Sequence, residues 1–466
     1  MPPKIKPRII IHGGAGNIRR DMDRETYTAY YTALMSIVTA TDTYMRHPSS
    51  EKHPDTTTAT NPSRPTALDT ASHAVTLLES NPLFNSAHGA VFTRDGLVEL
   101  EASVMVSRGH AKRGLGVTGL RRVKHPILLA KAMLQHGDRD LLGWRAGLED
   151  GTSSTTEHDG ALDVDLDVPS AQGHTLLHGE TAEKLARQYR LEMVDPSYYF
   201  TQRRWDEHVR GLEQEKSGKG TAHWSAEEYL PQGTCGAVAL DEDGVVCVAT
   251  STGGITNKLT GRIGDTPVVG AGFWAEEWSE KGHTGGASRP DPWQSLRECL
   301  DLPGPVVELS SSLRSFLADC LPTPFTYNPI PSRPSHVASH QGSHTTRSVA
   351  VSGTGNGDSF LRTSAARSMA SIARWGRFSG ASAVNQIVGR GGELQKSAGP
   401  RWGKTGEGEG GMIGIECIVT RDGSGSVSYV KSEILQDHNS EGMLRAWIQD
   451  DGKPAVKIWH GDQGRV

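Results

Sequence analysis

Cysteine is scarce in this chain, charge is nearly balanced, and long apolar runs are missing. The five cysteines among 466 residues are Cys235, Cys247, Cys299, Cys320 and Cys417. None precedes residue 235 and no two form a close Cys-x-x-Cys pair, which removes a cysteine zinc site and a disulfide framework from consideration. They read as reduced thiols, mostly buried filler. A formal net charge of −5 offers no electrostatic case for nucleic acid or an anionic membrane, so the expected partner is a small molecule or short peptide. Near the start, only Ile9-Ile10-Ile11 is continuously apolar, too short for a signal-peptide core, and no later window reaches a membrane span. The expectation is a soluble, cytoplasmic protein.

What is present is a mixture of helical and strand patterns broken by polar stretches. Arg8 to His12 reads as a buried strand running into Gly13-Gly14-Ala15-Gly16. That loop lacks the Lys-Ser/Thr of a phosphate-binding loop and the Gly-x-Gly-x-x-Gly spacing of a dinucleotide fold, so no organic cofactor is expected. His12 reads as a satisfied core histidine. Apolar spacing predicts helices over Glu25 to Met45, Ala67 to Glu79, Ile127 to Leu134, Glu180 to Gln188 and Arg203 to Lys216. A hairpin is expected over Val91 to Met105, turning at Asp95-Gly96. Residues 46–65, 149–171, 217–233 and 275–345 are rich in Ser, Thr, Pro, Gly, His or acidic residues and read as inserted loops or linkers. In the last of these His336, His340 and His344 recur every fourth residue, but the glycine and serines around them argue against a metal-binding helix face. The C-terminal part predicts strands over Gly410 to Val419, Val427 to Val430, Met443 to Ile448 and Ala455 to Ile458. Periodicity alone supports a mixed α/β class.

The chemistry concentrates after residue 232. Gly233-Thr234-Cys235-Gly236-Ala237-Val238-Ala239-Leu240 and Val245 to Thr250 read as two strands joined at Asp243-Gly244, with hydroxyls at both ends: Thr234 opens the first and Ser251-Thr252 closes the second. A threonine hydroxyl is a weak nucleophile unless a base lies beside it, and a threonine's own α-amine is one known base. Such an amine would exist at Thr234 only if the bond after Gly233 were cut. Antiparallel pairing would bring Thr252 back beside Thr234. Arg262 and Asp265, in a Gly-rich turn, suit the carboxylate and ammonium of an amino acid; the residues alone also fit a surface ion pair. Gly353-Thr354-Gly355-Asn356-Gly357-Asp358 ends a strand and opens a helix near Ser359, a place where bared amides can hold an oxyanion.

The whole run from Gly233 to Gly272, including Ala249-Thr-Ser-Thr-Gly-Gly-Ile-Thr-Asn-Lys258 and Gly261-Arg-Ile-Gly-Asp-Thr-Pro267, closely resembles the plant-type asparaginase and isoaspartyl peptidase family of N-terminal nucleophile hydrolases. The resemblance extends over most of 8–135, 174–274, 346–390 and 410–450. It implies a four-layer αββα sandwich and an autoprocessing amidohydrolase acting on the side-chain amide of L-asparagine or on β-aspartyl peptides. By it, Thr234 is the nucleophile, freed by self-cutting after Gly233; Thr252 tunes it; Thr354 and Gly355 hold the oxyanion. Arg262, Asp265, Gly355 and Gly357 bind substrate. It further implies an α subunit of residues 1–233, a β subunit of residues 234–466, and a heterodimer that pairs into a heterotetramer.

Leu-Leu-Glu-x-x-Pro-Leu-Phe-Asn, ending at Asn85, resembles the family's sodium loop, which implies carbonyl ligands to a structural Na⁺ from Leu78, Glu79, Phe84 and Ala87. This chain departs from the family pattern at Ala87, at Val106 where an aspartate is expected, and at Asp358 where a glutamate is usual. Three other readings stay open. A taspase-like endopeptidase tends to have serine at the position of Thr252 and to lack the Arg262/Asp265 pair. A glycosylasparaginase fits poorly with no disulfide pattern. An uncleaved, inactive scaffold would leave the intact set of site residues without a purpose.

Overall fold

A computed structural model describes residues 3–47, 64–111, 113–149, 170–218, 233–280 and 343–460, with side chains omitted for 139–149. Most of each expected insertion, namely residues 48–63, 150–169, 219–232 and 281–342, therefore lies outside the described residues, as do Cys299, Cys320, His336 and His340. His344 opens a strand and meets the Ser279 hydroxyl at 3.0 Å.

In chain order the strands are β1 (Arg8–Gly16), β2 (Leu100–Val106), β3 (Gly114–Leu120), β4 (Leu176–His178), β5 (Cys235–Leu240), β6 (Val246–Thr252), β7 (Phe273–Glu280), β8 (His344–Gly355), β9 (Gly410–Arg421), β10 (Val427–His438), β11 (Gly442–Ile448) and β12 (Pro454–Lys457). They form one sheet ordered β12-β11-β1-β5-β6-β2-β3-β4 and a second ordered β10-β9-β8-β7. The helices are α1 (Arg24–Arg46), α2 (Ala67–Glu79), α3 (Pro126–Glu149), α4 (Gly179–Gln188), α5 (Gln202–Lys216), α6 (Gly357–Thr363), α7 (Ala365–Arg374), α8 (Gly380–Val388) and α9 (Glu393–Ala398). Local chemistry sets their starts. Asp23 accepts from Thr26 N at the head of α1, Thr66 and Asp69 form a capping box on α2, and Pro126 opens α3.

Strands β5 and β6 are buried along their whole length, whereas β10 at the edge of the second sheet is largely half-buried or exposed. On β1, Ile9 and Ile11 join the core shared with α1 and α2, whereas Ile10 joins the core shared with the second sheet. The same alternation sends Ala237 and Ala239 of β5 one way and Val238 and Leu240 the other. From the second sheet, Phe273, Ala350, Ile413 and Ile415 fill the space between sheets, while Val349, Val351 and Met412 pack with Met369, Ala370, Val384 and Ile387 of α7 and α8. Burying each large aliphatic side chain contributes about 1.5–3 kcal/mol. Cys235, Cys247 and Cys417 are free and buried. Burial pushes the Cys235 thiol up to about 12, which keeps it protonated and inert as a nucleophile.

Three expectations need correction. The turn at Asp95-Gly96 exists, with Gly96 N donating to Thr93 O at 3.0 Å, but residues 91–99 form no strand; β2 pairs instead with β3, the next strand along the chain, and with distant β6. The insertion expected from residue 275 begins later, because β7 continues to Glu280 and pairs with β8 along its length. Helices α7 to α9 were not expected from the sequence.

Among the polar contacts that cross between the sheets, His12 Nε2 of β1 meets Ser352 Oγ of β8 at 2.7 Å. Burial pushes the His12 ring down to about 3, so it is neutral at physiological pH. Gly236 faces this pair, and a Cβ there would lie 2.3 Å from Ser352 Oγ and 2.4 Å from His12 Nε2. Gly236→Ala is therefore expected to destabilise the protein by about 1–3 kcal/mol through overpacking, read as a lower urea midpoint with unchanged slope.

Candidate functional site

The register of β5 on β6 builds the site. Cys235 pairs with Ser251, so Thr234 and Thr252 lie at the same end of the hairpin, as antiparallel pairing of the two runs requires. Thr234 is 6% exposed and Thr252 3%. The loop from Gly253 to Gly272 then brings Arg262, Asp265 and Thr266 back over them. From the second sheet, β8 delivers Thr354 and Gly355, and the start of α6 delivers Gly357. One small cavity is lined by Thr234, Thr252, Arg262, Asp265, Gly355 and Gly357, together with Glu101, Gly254, Ile255, Gly264 and Thr266.

Gly233 sits where two strand ends meet. A Cβ on it would lie 2.4 Å from Thr354 Oγ1, 2.6 Å from Ala15 N and 2.9 Å from Gly14 Cα, so no side chain fits. Thr354 does not line the cavity; its hydroxyl accepts from Ala15 N at 3.2 Å and faces Gly233 instead. Gly355 has φ +137, and a Cβ there would strike the Glu409 carbonyl at 2.4 Å, which requires glycine. The Thr252 hydroxyl accepts from Gly254 N at 3.0 Å.

Arg262 and Asp265 are brought together, but not as each other's ion partner. The guanidinium Nη2 meets Asp358 Oδ1 at 3.0 Å, and the Asp265 carboxyl is buried with Oδ2 unpaired. Burial pushes Asp265 up to about 7 against the opposing pull of Arg262. Gly357 presses on both: a Cβ there would lie 2.6 Å from Asp265 Oδ1 and 3.2 Å from Arg262 Nη2.

Two neighbours had no role in the sequence reading. Thr266 Oγ1 lies 2.9 Å from Thr234 Oγ1. Its only signal was adjacency to Asp265. Glu101 pairs across the strands with Thr252 in β2–β6 register, a contact that sequence spacing does not display.

In the loop after α2, the carbonyls expected to bind a cation already accept internal N–H groups: Leu78 O from Asn81 N (3.2 Å) and from the helix-capping Ser80 N, Glu79 O from His88 N (3.0 Å), Phe84 O from Ser86 N (3.0 Å) and Ala87 O from Ala90 N (3.1 Å). The Glu79, Phe84 and Ala87 carbonyls each retain a second lone pair. Ala87 has φ +41, so alanine holds the left-handed turn at a cost of about 1–2 kcal/mol. Among the described residues no cluster of His, Cys, Asp or Glu suits a metal ion, and no helix is long and apolar enough to cross a membrane.

The family model described as asparaginase matches residues 5–147 and 160–286. The chain belongs to the asparaginase family. It is similar to the isoaspartyl peptidases of Salmonella typhimurium and Escherichia coli, each 28% identical over 97% of this chain and 99% and 96% of the relative, respectively. The plant-type L-asparaginase of Thermococcus kodakarensis is 32% identical over 59% of this chain and 73% of the relative.

The raised Asp265 carboxyl has a consequence for stability. In the native chain the Asp265 carboxyl holds a proton that the unfolded carboxyl releases near pH 4, so this contribution is full below pH 4 and is lost as pH rises toward about 7. The Asp265→Asn version of that chain is expected to lack this part of the slope in urea midpoint against pH.

Proposed function

We propose that this member of the asparaginase family is a self-cleaving threonine hydrolase acting on the side-chain amide of L-asparagine or on β-linked aspartyl peptides. The observation that carries the reading is the convergence of Thr234, Thr252, Arg262, Asp265, Gly355 and Gly357 on one cavity. The names of the relatives, isoaspartyl peptidase and L-asparaginase, support the substrate class.

In the uncut chain the Thr234 hydroxyl adds to the Gly233 carbonyl carbon, the amide breaks to an ester, and water releases a Gly233 carboxylate and a free Thr234 amine. The cramped surroundings of Gly233 and the Thr354 hydroxyl facing it support this step. In the cut enzyme the amine takes the Thr234 Oγ1 proton as the oxygen bonds to the substrate's β-carbonyl carbon. Gly355, which lines the cavity, stabilises the oxyanion together with Thr354, whose hydroxyl faces Gly233 in the uncut chain and turns to the substrate once that residue is released. The C–N bond breaks, the transferred proton leaves with ammonia or the peptide's amine, and water then frees L-aspartate from Thr234. Arg262 takes the α-carboxylate, exchanging its exposed Asp358 partner for substrate, and Asp265 takes the α-ammonium. Thr252 orients the nucleophile.

The remaining expectations belong to the same reading. Residues 1–233 and 234–466 would form an α/β heterodimer that pairs into a heterotetramer in the cytoplasm, built as a four-layer αββα sandwich. The two packed sheets with helices on their outer faces support that architecture. The carbonyls of Leu78, Glu79, Phe84 and Ala87 would hold Na⁺, whose hard character suits neutral oxygen donors and which would stiffen the turn behind β6.

Thr234→Ala is expected to abolish turnover of both L-asparagine and a β-aspartyl dipeptide. Arg262→Ala is expected to raise KM for L-asparagine about 10- to 100-fold, the cost of one charge-assisted contact, while self-cutting continues. Release of ammonia or free amine measures turnover, and gel mobility of the fragments measures cutting. Full turnover by Thr234→Ala would refute the proposal.

A further inference from the structure

The loop carrying Arg262 and Asp265 has little apolar burial to hold it. Leu259 is 69% exposed and Ile263 36% exposed, and glycines at 261 and 264 offer no side chain to pack. Its position depends on polar contacts, and these come from the chain that enters β2. Glu99 Oε2 accepts from Gly261 N at 2.7 Å. The Glu101 oxygens accept from Gly264 N at 3.3 and 3.4 Å. The two peptide N–H groups that bracket Arg262 are thus each held by a carboxylate, from residues two apart and so on one side of an extended chain.

The carboxylates are themselves fixed. Arg121 Nη2 meets Glu99 Oε1 at 2.8 Å. Lys258 Nζ donates to the Glu99 carbonyl at 3.1 Å and lies 3.7 Å from Glu101 Oε1. Glu99, Glu101 and Lys258 are all buried, at 4%, 0% and 3% exposure, so each charge depends on its neighbours for compensation. Glu101 also borders the cavity, and a Cβ on Gly264 would lie 3.0 Å from Arg262 Nη1 and 3.5 Å from Glu101 Oε2.

We propose that Glu99 and Glu101 are positioning residues for the substrate clamp: by holding the Gly261 and Gly264 amides they fix the guanidinium of Arg262 before substrate arrives. The inference rests on the reading of Arg262 and Asp265 as the amino-acid clamp. A loop ordered in advance spares the substrate the entropy of ordering it, so the effect belongs in binding rather than in the chemical step.

The test uses the self-cut enzyme, with L-asparagine kinetics and L-aspartate binding by calorimetry. Wild-type turnover is read first, since its absence removes the functional reading itself and leaves the variants unnecessary. Two conservative changes at Glu99 then separate reach from charge, and one at Glu101 tests reach. Glu99→Asp and Glu101→Asp keep the charge but withdraw the carboxylate from the amide. Each is expected to raise KM and the L-aspartate Kd about 10-fold with kcat within about threefold. Glu99→Gln keeps an oxygen within reach of Gly261 N and is expected to stay within about threefold of wild type in both. Aspartate variants with wild-type KM and Kd, or with kcat reduced and KM unchanged, would overturn the proposal. A variant that fails to fold at one position leaves the aspartate variant at the other to decide.

Discussion

The space at Gly233 is the constraint that organises this molecule. With Thr354 Oγ1 and Ala15 N each under 3 Å from where a side chain would begin, the residue before Thr234 is held against the ends of β1 and β8, which belong to different sheets. The two sheets must therefore pack in one register for the site to exist. That register is secured by the alternation of Ile9, Ile10 and Ile11 and of Ala237, Val238 and Ala239 between two cores, and by the His12–Ser352 contact between sheets. Slipping β5 by one residue would turn Val238 from the inter-sheet core toward α2 and carry Gly233 away from Thr354.

Around that point the protein arranges buried charge with restraint. Asp265 is kept near neutrality by burial, Glu101 is raised by burial but opposed first by Lys258 and then by Arg262, and Lys258 is lowered by burial but opposed by Glu101 and Glu99. Arg262 is the more exposed member and holds Asp358, which faces solvent. An incoming amino acid would find a cation whose partner is easily released and a carboxyl whose second oxygen has no partner. Both features favour exchange of weak existing contacts for strong new ones.

Much of this was legible in the amino-acid sequence where local rules operate. The capped helix Ala67–Glu79, the β5–β6 hairpin and the family motif from Gly233 to Gly272 all rest on short-range patterns, and the structure places the motif residues at one cavity. What was not legible depended on distant partners. The strand β2 pairs with β6 across more than a hundred residues, so the local turn at Asp95-Gly96 suggested a hairpin that does not form. Strand β7 alternates Ala275, Glu276, Glu277 and Trp278, and Glu276 is buried only because Arg367 and Arg374 of α7 reach it, a compensation invisible along the chain. Thr266 and Glu101 were overlooked for the same reason: each acts through a neighbour supplied by another strand.

The central claim is that the peptide bond between Gly233 and Thr234 is the one this protein breaks. The most direct measurement is the intact mass of the purified protein under denaturing conditions, with sequencing of any new amino terminus. Two fragments, the second beginning Thr234-Cys235-Gly236, are the predicted result. A single full-length chain that persists on prolonged incubation, or a cut at any other bond, would contradict the account.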